Sequence, residues 1–289
     1  MRVIPFAVFF IAISLAGADA QSPSVGPQYD TTHVYVAEAD FDRFVDSFVA
    51  TFGGAASKKA LVMVTPTPSR TWSQLVSTPA GPVSVFAFTT AIPFPFGTER
   101  TGYLVENIDT AVAAARAAGA SVIVETFTDP IGKDAVIQWP GGVNMQLYWH
   151  FAPPSAPALR TVPENRIYLP RDSADAFIAS FLRFAKGTVV SDVNDAPGAE
   201  IGQTDPYRRI RLNSGFGRIV ILATGGPLPY PYGRELTGYE VGDLDATLAR
   251  AKAAGGELLV GPHPESDRQS AMVRFPGGYI AEIHELRKP

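Results

Sequence analysis

The chain has 289 residues, a formal net charge of −4 at pH 7 and no cysteine. The charge balance excludes the strongly basic surface of a nucleic-acid-binding protein, so we expect no nucleic acid partner. The lack of cysteine excludes disulfides, a thiol nucleophile and thiolate metal ligands. A chain of this length, with 46% hydrophobic residues, is sufficient for two ordinary domains.

Residues 1–20 have the pattern of a secretory signal peptide. One basic residue is followed by an apolar run over residues 3–17 and then by Ala18-Asp19-Ala20, the small-x-small pattern that signal peptidase cuts. The run is shorter than the roughly 20 apolar residues of a membrane-spanning helix, although an uncleaved anchor is the alternative. We expect cleavage after Ala20, a secreted or periplasmic protein, and no membrane association after cleavage.

The rest of the chain is an internal repeat. Residues 93–120 and 229–256 align without gaps, and 14 of their 28 positions are identical. The segments that begin at His33 and Arg166 align as well, so the duplication extends through both halves. Prolines concentrate between the halves and predict an extended linker over residues 151–163. We therefore expect an N-terminal domain over residues 21–150 and a C-terminal domain over residues 164–289.

The first half begins with a short alternating strand at His33. A helix follows, because Phe41, Phe44 and Phe48 recur at three- and four-residue spacing, with Asp40 available as the N-cap. Strand-like runs come next. The repeated segment then supplies another strand and a second helix, and three further strands complete the half.

Each half shows this order of elements. Asn107 and Asp243 are placed to cap the second helix of their half, and a Pro-Gly-Gly turn precedes the last strand of each. A β-α-β-β-β module thus occurs four times, from about residues 33, 101, 166 and 237, which predicts an α+β fold.

The repeated segment starts with Pro-aromatic-Pro-aromatic-Gly at residues 93–97 and 229–233, and Glu99 and Glu235 follow. This loop has two interpretations. Its rings could close over a binding site as a lid, or its prolines could stiffen the crossover between two modules. We favour the crossover, because both copies keep the loop while the candidate site residues differ.

The module order, the capped second helix that ends in Ala-Ala-Gly and the Pro-Gly-Gly turn resemble the vicinal oxygen chelate superfamily. Its members include glyoxalase I, extradiol dioxygenases and the fosfomycin and bleomycin resistance proteins. The resemblance implies two tandem glyoxalase-like domains, each with a curved, cup-shaped mixed sheet that holds a small organic ligand.

The resemblance also implies where a divalent metal would bind, on the first, fourth, fifth and eighth strands of each domain. In the first half His33, Arg100 and Gln146 occupy three of these places, and the fourth strand offers no ligand. In the second half Arg166, Leu236 and Glu282 do so. Neither set is complete, because a site of this kind needs about three histidine or carboxylate ligands.

We therefore expect no cofactor. If a divalent metal does bind, the candidate ligands are His33, Gln146 and Glu282.

Other residues are candidates for binding a ligand. Arg100 and Arg166 stand at ligand places and could hold an anionic group through a two-pronged hydrogen bond. For Arg166 we favour a strand-end arginine that reaches into solvent. Gln146 and His150 share one face of a strand, because side chains alternate, and this face could line the cup.

Three residues are candidates for acid–base catalysis. His33 has the side chain whose pKa is ordinarily near neutral, and a half-exposed structural histidine is the alternative. Glu282 and His284 form the one carboxylate and imidazole pair that lies close in sequence on one strand face, and satisfied polar groups of a terminal strand are their alternative.

Three functions remain open at this point. The first is an exported glyoxalase-like or bleomycin-resistance-like protein that binds a small organic molecule without a complete metal site. The second is a metal-dependent lyase, isomerase or extradiol-type dioxygenase with a reduced site. The third is an interaction module that binds a partner protein. Fold resemblance does not choose among them.

Overall fold

The computed structural model describes residues 26, 28–91, 99–154, 158–159 and 162–287. The predicted signal peptide and the first copy of the Pro-aromatic loop lie outside the described residues. No helix within the described ranges is long and apolar enough to cross a membrane.

Two halves of the same architecture follow one another along the chain. The first half contains β1 (Thr32–Tyr35), α1 (Phe41–Phe52), β2 (Ala55–Ala56), β3 (Ala60–Val62), β4 (Thr71–Ser77), β5 (Val83–Phe88), β6 (Glu99–Leu104), α2 (Ile108–Ala117), β7 (Ser121–Thr128), β8 (Gly132–Trp139) and β9 (Val143–His150). The second half contains β10 (Glu164–Pro170), α3 (Ala174–Ala185), β11 (Thr188–Ala196), β12 (Tyr207–Ser214), β13 (Gly217–Thr224), β14 (Leu236–Glu240), α4 (Leu244–Ala253), β15 (Glu257–Pro264), β16 (Arg268–Arg274) and β17 (Ile280–Leu286). The predicted α+β fold of four β-α-β-β-β modules is confirmed.

Each half forms one mixed sheet. The first sheet has the order β2-β4-β5-β1-β6-β9-β8-β7, with β3 paired to β4, and the second has the order β11-β12-β13-β10-β14-β17-β16-β15. At the centre of the first sheet His33 lies opposite Ser84 on β5 and Arg100 on β6. At the same place in the second sheet Arg166 lies opposite Val220 and Leu236. The pairing register of the central strands therefore gives His33 and Arg166 equivalent positions in the two sheets.

The hydrophobic cores are shared between the halves. One core joins α1, β1 and β5 of the first half to α4, β14, β16 and β17 of the second. The other joins α2 and β6–β9 to α3, β10, β12 and β13. Phe48 of α1, for example, contacts Tyr239 and Phe275 of the second half, with ring centroids 5.5 and 5.4 Å apart. The helices thus pack between the two sheets, and each sheet turns its other face away from the shared cores.

The helix ends confirm two of the predicted caps. Asn107 accepts a hydrogen bond from the Thr110 amide, and Asp243 accepts one from the Ala246 amide. Asp40 stands at the N-cap position of α1 as predicted, but its side chain does not cap the helix, because its carboxylate pairs with the Arg43 side chain, 3.0 Å away.

Glu99 and Glu235 connect the halves across the molecule. The Thr237 hydroxyl and amide donate to Glu99, and the Thr101 hydroxyl and the Asn165 side-chain amide donate to Glu235 at 3.2 and 3.0 Å. Burial raises the pKa of Glu99 to about 8 and that of Glu235 to about 7. Both repeated glutamates thus belong to the contact between the halves.

The shared cores predict energetic coupling between the halves. Phe48→Ala and Phe275→Ala should each cost about 3–5 kcal/mol of unfolding free energy, because each leaves a cavity in one core. A double-mutant cycle measured by urea unfolding should give a coupling of about 0.5–3 kcal/mol for this pair. Phe48 and Phe184 lie in different cores and serve as the control, with additive effects. Additive effects for Phe48 and Phe275 would contradict a shared core.

The two glutamates between the halves predict a loss of stability as the pH rises, because both have raised pKa values. Unfolded glutamate ionises near pH 4.5, whereas the folded carboxyls stay protonated until about pH 8 for Glu99 and pH 7 for Glu235. Between these values the folded state holds more protons, so the free energy of unfolding falls by about 1.4 kcal/mol per pH unit for each carboxyl. The Glu99→Gln/Glu235→Gln variant should lose the part of the slope that these two carboxyls contribute in urea unfolding from pH 5 to 8, and keep the part that comes from Asp134, whose pKa is raised to about 7.

The exposed Glu106→Gln variant is the matched control, and it should keep the wild-type slope. If the double variant kept that slope too, the two carboxyls would not be protonated in the folded state.

Candidate functional site

The outward face of the first sheet, which we call the first cup, encloses a cavity of about 160 Å³. Val62 near one edge of the sheet and Val124 near the other both line it, so the sheet curls around the cavity. Its floor is polar and consists of Asp30, His33, Ser84, Arg100, Asp134 and Gln146.

Strand pairing positions the floor. His33 lies between its partners Ser84 and Arg100, so three adjacent strands each contribute one side chain to the row. Gly102 on β6 leaves room for the His33 ring, since a Cβ at this position would lie 2.7 Å from the imidazole Cε1. The histidine is 6% exposed and is not the half-exposed residue of the alternative interpretation.

Gln146 contacts three other residues of the floor. Its amide oxygen lies 3.1 Å from His33 Nδ1 and accepts a hydrogen bond from Arg100 at 3.3 Å. Its amide nitrogen donates to Asp134 at 2.9 Å. The Arg100 guanidinium also lies over the Tyr35 ring, 5.6 Å from its centroid. Gln146 therefore holds His33, Arg100 and Asp134 in one connected arrangement.

Two buried aspartates complete the floor. Asp30 accepts a hydrogen bond from Ser84, lies 3.5 Å from His33 Nε2, and has one carboxylate oxygen without a hydrogen-bond partner among the described residues. Burial, with Asp129 nearby, raises the pKa of Asp134 to about 7. The floor therefore combines a guanidinium, an imidazole and two carboxyls.

The mouth of the cavity is mostly apolar. Phe127, Ile131 and Trp149 line it together with His150, whose Nε2 lies 2.5 Å from the Tyr29 hydroxyl. Burial lowers the pKa of His150. His150 thus belongs to the rim of the cavity, whereas His33 belongs to its floor.

The equivalent face of the second sheet, the second cup, is filled by charged side chains. Arg166 pairs with Glu282 and lies 3.5 Å from Glu265. Arg268 donates to Glu164 at 2.7 and 3.2 Å. All five side chains are at most 4% exposed. Two guanidinium groups thus face three carboxylates inside the cup, and such pairing is the condition for burying charged groups.

Equivalent positions carry side chains of different size in the two cups. Gly132 at the start of β8 corresponds to Arg268 at the start of β16, and Asp129 corresponds to Glu265, by the same offset of 136 residues (268 − 132 and 265 − 129). At these two positions the second half has the larger side chain. Tyr232, from the second Pro-aromatic loop, adds to this packing against Leu236 and Met272.

The second-half candidates lie within this filled cup. The expectation that Arg166 reaches into solvent is wrong, because the residue is 1% exposed. His284 is fully buried, with Nδ1 3.0 Å from Glu282 Oε1. Burial alone would raise the pKa of Glu282, but Arg166 and His284 outweigh this effect and lower it to about 2. The arrangement is an ion-pair network enclosed by protein.

The structure does not assemble the three candidate metal ligands. His33 and Gln146 meet in the first cup, whereas Glu282 lies in the other sheet. Within the described ranges, no group of three or more histidine, aspartate or glutamate side chains is suited to a metal.

The floor of the first cup also fits a divalent cation poorly. Arg100 brings a permanent positive charge to one ligand place, and the Gln146 oxygen at another accepts from that same guanidinium.

Sequence patterns missed several residues of the site. Tyr29 and Asp30 precede the first strand, and Asp134 lies on β8. For Asp134 the available signal was the alternation of side chains along β8, which places it on one face of the sheet. Asp134 becomes a floor residue only because β8 pairs with β9 in the register that sets it opposite Tyr148.

No family model and no curated protein sequence matches the chain. Solved structures do match it. A mutant of 4-hydroxymandelate synthase from Streptomyces coelicolor is 13% identical, with a TM-score of 0.56, over 93% of this chain and 94% of that one. The Mn(II)-bound glyoxalase from Novosphingobium aromaticivorans is 18% identical, with a TM-score of 0.54, over 91% and 83%.

A third match is 2,2',3-trihydroxybiphenyl 1,2-dioxygenase from Sphingomonas wittichii, which is 15% identical, with a TM-score of 0.55, over 91% of both chains. Identities this low establish the fold and not the reaction. Because these likenesses extend over both halves, the chain has the fold of the vicinal oxygen chelate superfamily, as two tandem domains.

Proposed function

We propose that this chain binds a small organic molecule in the first cup without a bound metal ion, and that the second cup is structural. The observation that carries the proposal is the difference between two equivalent faces. One encloses a cavity with a polar floor and an apolar mouth, and the other is filled by buried ion pairs.

The size of the cavity supports a ligand of about one ring. A cavity of about 150 Å³ lined by apolar side chains holds benzene, and the first cup encloses about 160 Å³. Its composition supports the same class, since ligand sites combine apolar walls with a few placed polar groups. The matching solved structures include a glyoxalase and a trihydroxybiphenyl dioxygenase by name, which accords with a small organic ligand.

Export belongs to the proposal as well. The first 20 residues carry the signal-peptide pattern, and the chain contains no cysteine whose oxidation would matter outside the cytoplasm. Mass spectrometry of the N-terminus of protein recovered from outside the cytoplasm should give a mature chain that begins at Gln21. A chain that keeps its first residues there would contradict cleavage after Ala20.

Ligand binding in the first cup should be detectable as thermal stabilisation. A single-ring compound at about 100 times its Kd should raise the Tm by about 5–10 °C. Val136 lines the cavity, so Val136→Phe should fill part of it and abolish this shift. Val189→Phe, at an exposed position of β11, is the control and should keep the shift. Equal shifts in both variants would place the binding elsewhere.

A site without a metal ion also predicts the metal content of the protein. Protein purified without chelators should contain substoichiometric manganese, zinc and iron by elemental analysis. The Arg100→His/Gln146→Glu variant should gain a stoichiometric divalent metal, because the cation is removed and two ligands join His33. Addition of His33→Ala should abolish the gain. Stoichiometric metal in the wild type, lost on His33→Ala, would contradict the proposal.

A further inference from the structure

We propose that the ligand of the first cup is a small monocarboxylate, and that the Arg100 guanidinium binds its carboxylate at the place where the fold would otherwise hold a metal ion. This inference rests on the proposed function and adds the chemical class of the ligand.

The position of Arg100 supports its role in binding a carboxylate. Arg100 pairs with His33 in the central row of the sheet and lines the floor of the cavity. A guanidinium presents its N–H donors in a planar fork that matches the two oxygens of a carboxylate. It can therefore hold two oxygens of one ligand, as a chelating metal does. Its positive charge is permanent and does not depend on a bound metal.

The surroundings of Arg100 favour a cation held in one place. The guanidinium donates to Gln146 and lies over the Tyr35 ring, and Tyr35 stacks on Phe86 with their centroids 5.6 Å apart. The hydrogen bond and the ring restrict the side chain before a ligand arrives, which lowers the entropy that binding costs. The same rings supply an apolar wall next to the charge.

The acidic side chains of the cup limit the charge of the ligand. Asp30 and Asp134 lie on the floor, and Asp129 lies near the mouth. A dianion such as a phosphate monoester would be repelled by these carboxyls, because like charges at short range are unfavourable. A single carboxylate carries less charge than such a dianion and is attracted by the Arg100 guanidinium on the floor. The cavity volume then leaves room for about one ring or a branched aliphatic group beside it.

The test compares benzoate with benzyl alcohol, which has a similar shape and no charge. Isothermal titration of the full chain, in EDTA, should detect binding of benzoate. Arg100→Gln should weaken benzoate at least about tenfold, the usual effect of losing a charge-assisted hydrogen bond, and weaken benzyl alcohol by a much smaller factor. Arg116→Gln, at an exposed arginine of α2, should change neither. Arg100→Lys keeps the charge without the fork and should give an intermediate affinity.

Binding of benzyl alcohol by Arg100→Gln shows that the variant still has its cup, and Arg100→Lys provides the comparison if Arg100→Gln does not fold. The inference is overturned if benzoate and benzyl alcohol lose the same factor in Arg100→Gln, if benzoate does not bind, or if EDTA abolishes its binding. The proposed function survives the first outcome, because a neutral molecule would still occupy the first cup.

Discussion

Packing of the helices between the two sheets is the constraint on which the rest of the structure depends. Each strand turns one set of side chains toward a core that both halves share and the alternate set toward a cup. Val34 and His33 are neighbours in sequence, yet the first lies in a core and the second on the floor of the cavity. The shared cores must therefore persist in both halves, whereas the cups can diverge.

The two cups differ in how their polar side chains are satisfied. In the first, the Arg100 guanidinium and the Gln146 amide join His33 on the polar floor of an open cavity. In the second, Arg166 and Arg268 meet three glutamates in a buried network. Removing one partner of such a network leaves an uncompensated charge, so its members depend on one another. The first cup has the polar and apolar surfaces that a ligand needs, and the second satisfies its own charges.

The sequence was sufficient for the module order, the caps at Asn107 and Asp243, and the correspondence of His33 with Arg166, because a repeat fixes equivalent positions without knowledge of contacts. It was not sufficient for the pairing of cores across the halves, since apolar helix faces such as that of Phe44 and Phe48 do not specify their partner. Nor could it place Asp30 and Asp134 beside Gln146, because their proximity arises from strand pairing and from the chain that precedes β1. The burial of Arg166 depends on glutamates more than 95 residues away in the chain, which no local pattern reveals.

A crystal structure of the wild-type protein grown with both benzoate and manganese tests the central claim most directly. The account predicts density for benzoate in the first cup, with its carboxylate against the Arg100 guanidinium, and no anomalous manganese peak between His33 and Gln146. A manganese ion coordinated by those two side chains, or benzoate bound only outside the first cup, would contradict it.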